Sequence, residues 1–393
     1  MRPRSEQSPS RPTLGDVAEA AGVARATAAR ALGGYGQVRE ATRSQVWAAA
    51  RELGYLPNRV ARSMVTGRTN TIGFVSADLE NPFFGGTMRG ILEVSRAAGY
   101  EVVIANSQEE PELERRIVQV LHEHRVDGLL VAPTQYRDGS HLIAMLDEGS
   151  PVVLLDRSVR GVPADAVLVD NVRAAREGVE RLIELGHRRI GLVTTDLPPD
   201  RPVEHLEEVA LDPTHASTSA ARSVGYLTAL RKAGIGPDPR LIGIATYSRD
   251  GARQATADLL ARRGRPTALL TVDNIFTLGA FEAIQASGLE FPGQISMLGF
   301  DDLEWTTIVR PRLSVIAQPA HDIGATAARR LLARLSGEQT APQALFLETT
   351  LIERGSTAPA PAARSRPVKS ATAGAPAARQ PPGPGESAKG GRR

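Results

Sequence analysis

The chain of 393 residues contains no cysteine. This absence excludes disulfide bonds, catalysis by a thiolate and metal sites built on cysteine. A chain without cysteine suits a reducing compartment such as the cytoplasm. We therefore expect an intracellular protein whose stability comes from a buried core, for which the chain is long enough.

Long apolar runs are also missing. No stretch approaches the roughly 18 consecutive apolar residues that a membrane-spanning helix needs. The first residues, MRPRSEQSPSRP, contain no apolar segment of the kind found in a secretory signal. We expect a soluble cytoplasmic protein with no membrane partner.

The short motifs of common enzymes are absent as well. The sequence contains no GxGxxG, Walker A, GxSxG or HExxH pattern. His122 and His124 stand two residues apart in a helical segment, so they point to different faces and do not form a metal pair. We therefore expect no enzyme, no cofactor and no metal site.

Positive charge is concentrated at the two ends of the chain. Residues 1–70 hold 11 arginines against 5 acidic residues, whereas residues 71–355 hold 29 basic and 38 acidic residues. A basic head on an acidic body suggests that the head binds a polyanion. The alternative is a basic face that is merely solvated.

Residues 13–56 have the spacing of three short helices. Thr13 stands at an N-cap position with Asp16 at the capping-box spacing, and Gly22 suits a tight turn before a second helix at 24–32. The third helix is expected at 40–53, with the buried residues Val46, Ala50 and Leu53. Two apolar helices around a glycine turn predict a helix-turn-helix. This motif often binds DNA but also occurs as plain structure.

The sequence of this stretch resembles the LacI/GalR family of transcription regulators. The resemblance is carried by TLGDVAEAAGVARATAARAL followed by VREATRSQVWAAARELGYLPNRVARSM. The resemblance covers residues 13–355 and implies that the second helix lies in the major groove of DNA. Arg25 could contact guanine O6 and N7 together, or a phosphate instead. Ala24 replaces the usual capping Ser or Thr. The head residues implied at the DNA are Thr13, Arg25, Ala26, Thr27, Ala29 and Arg30.

Residues 57–66, PNRVARSMVT, match the family's hinge helix, which the resemblance implies folds on the operator beside that of a second subunit. Met64 stands where the side chain that wedges into the minor groove is usually Leu, and methionine can act as such a wedge. Ala61 is small enough for close helix approach, and Arg62 can reach a phosphate. Asn58 completes the expected DNA contacts of the hinge.

From residue 71 the pattern changes to alternating strands and helices. Near-continuous apolar runs indicate strands that are buried on both faces, as in a doubly wound parallel sheet. Strands are expected at 71–77, 101–106, 126–133, 151–157, 166–171, 189–195, 268–274 and 295–302. Helices are expected at 90–98, 113–125, 172–185, 221–233, 278–287 and 323–335. So many strands are more naturally two sheets than one.

The predicted fold is an all-α helix-turn-helix head plus an α/β core of two lobes, for which the resemblance implies the type I periplasmic-binding-protein-like fold. The first lobe is expected at about 71–168 and 319–348, and the second at about 169–318 and 349–355. The expected segments are a disordered arm at 1–12, the head at 13–56, a hinge and linker at 57–70, the core at 71–355 and a disordered Pro/Ala/Gly-rich tail at 356–393.

Several strands end in polar residues, and ligands of open α/β sheets bind outside the carboxyl ends of strands. Carboxylates, an arginine and aromatic rings together suit a sugar, although any one of these aspartates could be a helix cap or turn residue. Trp305 could equally be a packing residue. The effector-binding residues proposed from the strand ends and the resemblance are Asp78, Phe83, Phe84, Asp156, Arg157, Arg222, Asp273, Asp301 and Trp305.

The segment between Thr195 and Arg222 is longer and more acidic than the corresponding loop of the family. It either reshapes the mouth of the pocket or forms a disordered insertion. We expect a homodimeric repressor that binds a pseudopalindromic double-stranded DNA operator and responds to a small, sugar-like effector. The alternatives are an effector-independent regulator with a vestigial pocket, a solute-binding protein or receptor with no DNA role, and a dehydrogenase or other Rossmann-type enzyme; the missing glycine motif disfavours the last.

Overall fold

The computed structural model describes residues 12–56, 67–213 and 216–361. The expected arm at 1–12 therefore lies almost wholly outside the described residues, as do the hinge residues Asn58, Ala61, Arg62 and Met64. The described chain begins with three short helices and continues as two α/β lobes.

The head consists of α1 (Leu14–Ala20), α2 (Arg25–Gly33) and α3 (Glu40–Glu52). Its small core is built from Val17, Ala28 and Val46, all of which are fully buried. The turn between α1 and α2 has Gly22 at φ 61°, a left-handed conformation that glycine adopts without steric cost. This arrangement agrees with the predicted helix-turn-helix.

The prediction that Leu53 is buried is wrong. The helix ends at Glu52, and Leu53 is its C-cap with 37% of its surface exposed. Ala49, one turn earlier, takes the inward position beside Val46 and Ala50. A residue at the last turn leaves the helix face because the backbone changes direction there.

The first sheet has six strands in the order β11-β5-β4-β3-β1-β2, and all its neighbours are parallel. Its strands are β1 (Thr71–Ser76), β2 (Glu101–Asn106), β3 (Gly128–Val131), β4 (Val152–Leu155), β5 (Asp165–Val169) and β11 (Ala344–Leu347). β2 is an edge strand, with Val103 43% exposed, so the expectation that it is buried on both faces is wrong.

The second sheet repeats this order as β12-β10-β9-β8-β6-β7. Its strands are β6 (Ile190–Thr194), β7 (Ile242–Ile244), β8 (Ala268–Thr271), β9 (Ser296–Phe300), β10 (Ser314–Ala317) and β12 (Thr350–Ile352). Only the pairing of β12 with β10 is antiparallel among the strand pairs of the described chain. The sequence analysis did not predict β7, β10, β11 and β12, which have three or four residues each.

Helices cover both faces of the two sheets. In chain order they are α4 (Pro82–Ala97), α5 (Pro111–Glu123), α6 (Ser140–Asp147), α7 (Asn171–Glu184), α8 (Pro202–Val209), α9 (Thr218–Lys232), α10 (Arg249–Ala261), α11 (Asn274–Ala286), α12 (Glu304–Ile308) and α13 (Ala320–Leu335), with a 3-10 turn at Pro239–Leu241. The chain crosses between the sheets after β5, β10 and β11. In the described part of the chain, no helix is long and apolar enough to span a membrane.

The long segment after β6 contains an ordered helix, so it is not a disordered insertion throughout. Helix α8 packs on α9 through Leu206, which is fully buried in the core of the second lobe. Beyond α8, Asp212 forms an ion pair with Arg160 of the first lobe. The segment therefore contacts both lobes.

The expectation that the tail is disordered from residue 356 onward is wrong for its first residues. Ser356 is fully buried: its Oγ accepts a hydrogen bond from Ser314 N at 2.7 Å and donates to Met297 O at 2.7 Å. The N–H of Ala360 donates to Leu185 O at 2.8 Å. Residues 356–360 therefore form a strap along the second lobe, while residues 362–393 lie outside the described residues.

The strap is also held by the buried His187. Its Nε2 lies 3.0 Å from Ala358 O and must donate, because a carbonyl only accepts, and Nδ1 lies 2.9 Å from Thr267 Oγ1. Burial lowers the pKa of His187 below its ordinary value of 6.5, against the hydrogen bond to Ala358. The folded state therefore favours the neutral ring.

We expect His187 to make the protein less stable in mild acid. The unfolded ring takes up its proton near pH 6.5 and the folded ring only at a lower pH, so stability falls as the pH drops through that window. Thermal melting at pH 7.5 and 5.5 measures this effect. The melting temperature should fall less between the two pH values for His187→Gln than for the wild type. The exposed His124→Gln is the control; an equal loss in all three proteins would contradict the assignment.

Candidate functional site

The start of α1 is closed by the capping box that the sequence predicts. The N–H of Thr13 donates to Asp16 Oδ2 at 2.7 Å, and Asp16 N–H donates back to Thr13 Oγ1 at 3.4 Å. Gln45 of α3 donates through Nε2 to Ala21 O at 3.0 Å and so fixes α3 to the end of α1. These contacts hold the three helices around α2.

Helix α2 presents a basic and methyl-rich face to solvent. Arg25, Ala26 and Arg30 are exposed, and Thr27 and Ala29 are half-buried, whereas the opposite face is buried in the head core. Ala24 provides no side-chain cap, as the sequence indicates. Arg30 Nε donates to Ala26 O at 3.2 Å, so the stem of Arg30 follows its own helix. Arg25 lies in the first turn of α2, and its long side chain can donate hydrogen bonds from the N-terminal end of this face.

The second group of polar residues lies at the carboxyl ends of the strands in both lobes. Asp156 follows β4 and Asp301 follows β9, and these strands occupy the same place in the two sheets. Both aspartates have positive φ angles, 65° and 69°, and both are buried. The N–H groups of Asp156 and Asp301 donate to Val167 O at 3.0 Å and Ile316 O at 2.9 Å. Such conformations are uncommon outside glycine and concentrate at functional sites.

Arg222 supplies the buried positive charge beside these carboxylates. It is 2% exposed, and it donates from Nε to Asn171 Oδ1 and from Nη1 to Val272 O, both at 2.7 Å. Its guanidinium carbon lies 4.1 Å from the centre of the Phe300 ring. Arg222 therefore joins the crossover into α7, the end of β8 and the end of β9.

Asp273 is both a helix cap and a member of the cluster. Its Oδ1 accepts from Ile275 N at 2.9 Å at the start of α11, so the helix-cap alternative holds for this residue. Burial and then the charge of Asp301 raise the pKa of Asp273 from 3.8 to about 6, against the attraction of Arg222. Burial also raises the pKa of Asp156, against the charges of Arg157 and Arg222. Burial therefore favours the neutral form of both carboxyls, and the arginines beside them favour the charged form.

Arg157 has a partner that the sequence did not indicate. It forms a bidentate pair with Glu109, with both N–O distances at 2.6 Å, and its Nε lies 3.2 Å from Asp156 Oδ2. Glu109 reaches this position from the loop after β2 with φ 58°. The pair fixes Arg157 beside Asp156 at the edge of the first lobe.

Side chains from the two lobes meet directly across the cleft. Asn274 Nδ2 donates to Asn81 Oδ1 at 2.7 Å, and Asn81 Nδ2 lies 3.4 Å from the hydroxyl of Tyr247. Sequence reasoning missed Asn81 and Tyr247 as site residues. The Asn-Pro pair at 81–82 was the available signal, since Asn81 caps α4 and proline favours the first helical turn.

The other candidates make turn or packing contacts. Asp78 Oδ1 accepts from Glu80 N at 2.9 Å, as a turn residue does. Phe83 and Phe84 are 5% and 2% exposed and belong to the core of the first lobe. Trp305 packs on Phe281 with ring centres 6.0 Å apart. The structure shows turn and packing contacts for these four predicted residues, and Asp156, Arg157, Arg222, Asp273 and Asp301 as the charged cluster.

Some buried polar atoms near the carboxyl ends of strands have no partner among the described residues. These atoms are Ser76 Oγ in the last residue of β1, Thr134 Oγ1 and Gln135 Nε2 after β3, and Gln318 Oε1 after β10. Buried polar groups normally have hydrogen-bond partners. A cavity at the ends of β4 and β5 is lined by Asp156, Arg157 and Ser158, by Asn171 and Val172 at the crossover, and by Pro213 and Thr218 near the long segment. This arrangement fits a ligand with several hydroxyl groups.

Among the described residues, no group of histidine and acidic side chains is arranged to hold a metal ion. A helix-turn-helix head joined to a two-lobed core with a polar cleft defines the class of DNA-binding regulators that carry a ligand-binding domain. Comparison with known proteins identifies the family within this class.

Residues 13–58 match the profile of bacterial regulatory proteins of the lacI family, and residues 179–357 match the periplasmic binding protein-like domain. The chain is 33% identical over 350 residues to the HTH-type transcriptional regulator PtxS of Pseudomonas aeruginosa, covering 89% of this chain and 96% of that protein. It is 34% identical over 355 residues to the regulator CelR of Thermobifida fusca, with 88% and 98% covered.

Solved structures agree with these relatives. The lac repressor dimer bound to operator and the anti-inducer ONPF matches with a TM-score of 0.74 at 28% identity, covering 88% of this chain and 99% of that chain. A complex of CelR with cellobiose matches with a TM-score of 0.63 at 31% identity, covering 88% and 100%. The chain belongs to the LacI family: it is a DNA-binding transcriptional regulator and not an enzyme. The predicted fold class is thereby confirmed.

Proposed function

We propose that this protein is a cytoplasmic, homodimeric repressor whose affinity for a pseudopalindromic operator is controlled by a small sugar or sugar derivative. The observation that carries the proposal is the cluster of Asp156, Asp301, Asp273 and Arg222, in which a buried aspartate follows the equivalent strand of each lobe. Carboxylates bind the paired hydroxyls of a sugar through charge-assisted hydrogen bonds. CelR, a relative of similar length, is known in complex with cellobiose.

The dimer in this proposal uses an apolar groove on the first lobe. The groove lies along the edge strand β2 and helix α5 and is lined by Val103, Ile117 and Val120, among others. Val103 and Val120 are 43% and 48% exposed. An exposed apolar edge strand is a liability unless another chain covers it. A second copy would also place two heads on the two half-sites of an operator.

The heads would read DNA through α2. Arg25 would donate to a guanine, and the methyl groups of Ala26 and Ala29 would contact base edges, while Thr13, Thr27 and Arg30 would contact the sugar–phosphate backbone. In the hinge, Asn58, Ala61, Arg62 and Met64 would enter or border the minor groove. A lone helix of the hinge's length is marginal in water, so its folding on DNA is a natural point of control.

The proposal is tested with two libraries. A randomised duplex library selected on the protein should give a pseudopalindromic site, and a thermal-shift screen of sugars and nucleosides should give a stabilising compound. That compound should then change the binding of the selected duplex in a gel-shift titration. A palindromic site without any stabilising compound would instead favour the effector-independent regulator.

We expect Met64→Gly to weaken binding to the selected duplex by about 100-fold and to leave binding to a scrambled duplex nearly unchanged. The wedge contributes only where a base step opens, and unstacking energies are a few kcal/mol. Fluorescence anisotropy with both duplexes at one salt concentration measures the two affinities. An equal loss on both duplexes would show that Met64 is not a wedge.

A further inference from the structure

The segment between the hinge and the first strand is fastened to the first lobe at two points. Arg68 Nη2 donates to Leu335 O, the last carbonyl of α13, at 2.8 Å. The carboxylate of Asp127 accepts from the N–H of Thr69 at 2.8 Å and from the N–H of Asn70 at 2.9 Å. The chain that leaves the hinge at residue 66 therefore meets α13 within two residues.

The other end of α13 is connected to the cleft. Gln318 stands two residues before this helix, next to its N-cap Pro319, and its Nε2 donates to Asp301 Oδ1 at 2.7 Å. Asp301 and Gln318 follow the neighbouring strands β9 and β10 of the second lobe, and the chain enters α13 of the first lobe directly after Gln318 and Pro319, so this hydrogen bond lies at the crossover between the lobes. A ligand that occupies Asp301 changes the acceptor on which Gln318 depends, and with it the start of α13.

Helix α13 has the properties of a rigid connector. Its 16 residues span about 24 Å. A Cβ built on Gly324 would lie 1.9 Å from Thr87 O, and one on Gly90 would lie 2.1 Å from His321 O, so α13 and α4 are in backbone contact. Near its C-terminus, Arg334 and Arg330 bind the buried carboxylate of Asp165. Closely packed helices of this kind move as a unit and do not deform locally.

We propose that Arg68 is a positioning residue that couples the cleft to the DNA-binding hinge, with α13 as the connector between Gln318 and Leu335. The guanidinium supports the end of α13 as a cation does at any helix C-terminus, and it sets the direction in which the chain enters the hinge. Asp127 holds the next two residues in place. The coupling to effector rests on the function proposed above, but the contacts themselves do not.

The test is a double-mutant cycle of Arg68→Met and Gln318→Met, measured as affinity for the duplex selected by the wild type and for a scrambled duplex. Arg68→Met should weaken binding to the selected duplex about tenfold, which is within the usual range of coupling between sites. The affinity for the scrambled duplex should change little. Gln318→Met alone should change the affinity for the selected duplex. In the Arg68→Met background, the same substitution should have no further effect on that affinity.

The controls separate positioning from charge and from loss of structure. Arg188→Met removes another exposed arginine, from the second lobe, and should change neither affinity. Arg68→Gln, a second neutral variant that keeps a polar end, should behave like Arg68→Met. Because Arg68 is exposed, melting temperatures of its variants should match the wild type. The slope of affinity against salt should also stay the same, since loss of a phosphate contact would lower it by about one unit.

Two results would overturn the proposal. One is additivity, in which Gln318→Met has the same effect with and without Arg68. The other is an equal loss on the selected and scrambled duplexes together with a smaller salt slope, which would make Arg68 a simple phosphate contact. Both results are independent of the sugar screen: a screen that finds no effector rejects the proposed function but leaves the cycle interpretable.

Discussion

Asp301→Ala is expected to abolish binding of the effector, with a loss of affinity of at least about 100-fold. Hydrogen bonds to a charged group contribute about 1.5–3 kcal/mol each, and a carboxylate can accept two from neighbouring hydroxyls of a sugar. Asp301 is buried at the end of β9 and lies among Asp273, Arg222 and Gln318. The most stabilising compound of the thermal-shift screen serves as the probe in calorimetry.

The adjacent residue is the matched control for this experiment. Asp302 is exposed and pairs with Arg354 at 2.8 Å, outside the cluster. Asp302→Ala removes the same charge one residue away and should leave the calorimetric titration unchanged. A titration of Asp301→Ala that matches the wild type would reject the cleft as the effector site, and equal losses in both variants would point to damage to the loop after β9.

Arg222→Leu is expected to lower the free energy of unfolding by about 3–5 kcal/mol at neutral pH, the usual cost of removing one member of a buried charge cluster. The carboxylates of Asp156 and Asp273 would lose the nearby cation whose attraction opposes their raised pKa values. Their pKa values should then rise further. The variant should therefore lose less stability at pH 5, where these carboxyls can bind protons, than at pH 7.5.

Urea unfolding at the two pH values measures this effect. Arg231→Leu is the control on the same helix, because its partner Glu207 and its own side chain are both about half exposed. Exposed ion pairs contribute about 0–1 kcal/mol. The charge-cluster interpretation would fail if Arg222→Leu lost as little stability as Arg231→Leu, or if its deficit were the same at both pH values.

Short motifs and continuous apolar runs could be recognised in the sequence of this protein. The capping box at Thr13, the turn at Gly22 and the strands with continuous apolar runs all follow from local chemistry, and the structure has them. The strand-end rule also brought forward Asp156 and Asp301, because parallel strands place their carboxyl ends at one edge. Local patterns therefore gave the architecture and the centre of the cleft.

Features that depend on distant parts of the chain were not accessible in this way. Glu109 reaches Arg157 through a loop with a left-handed residue, and Asn81 meets Asn274 across 193 positions. The strap is another such case, since nothing in the composition of residues 356–360 indicates that Ser356 is buried beside Ser314. Asp78 shows that this rule is ambiguous, because a polar residue after a strand is also what an ordinary turn requires, and its Oδ1 accepts from Glu80 N.

Neither lobe is a continuous piece of chain. The edge strands β11 and β12 are the last in the sequence, and each completes a sheet whose other strands were made much earlier. Domains fold as they leave the ribosome, N-terminal segments first. The head, complete by residue 56, can therefore fold and meet DNA while residues 344–352 of the same molecule are still being synthesised. During that interval each nascent protein has a complete DNA-binding head but an incomplete ligand-binding core.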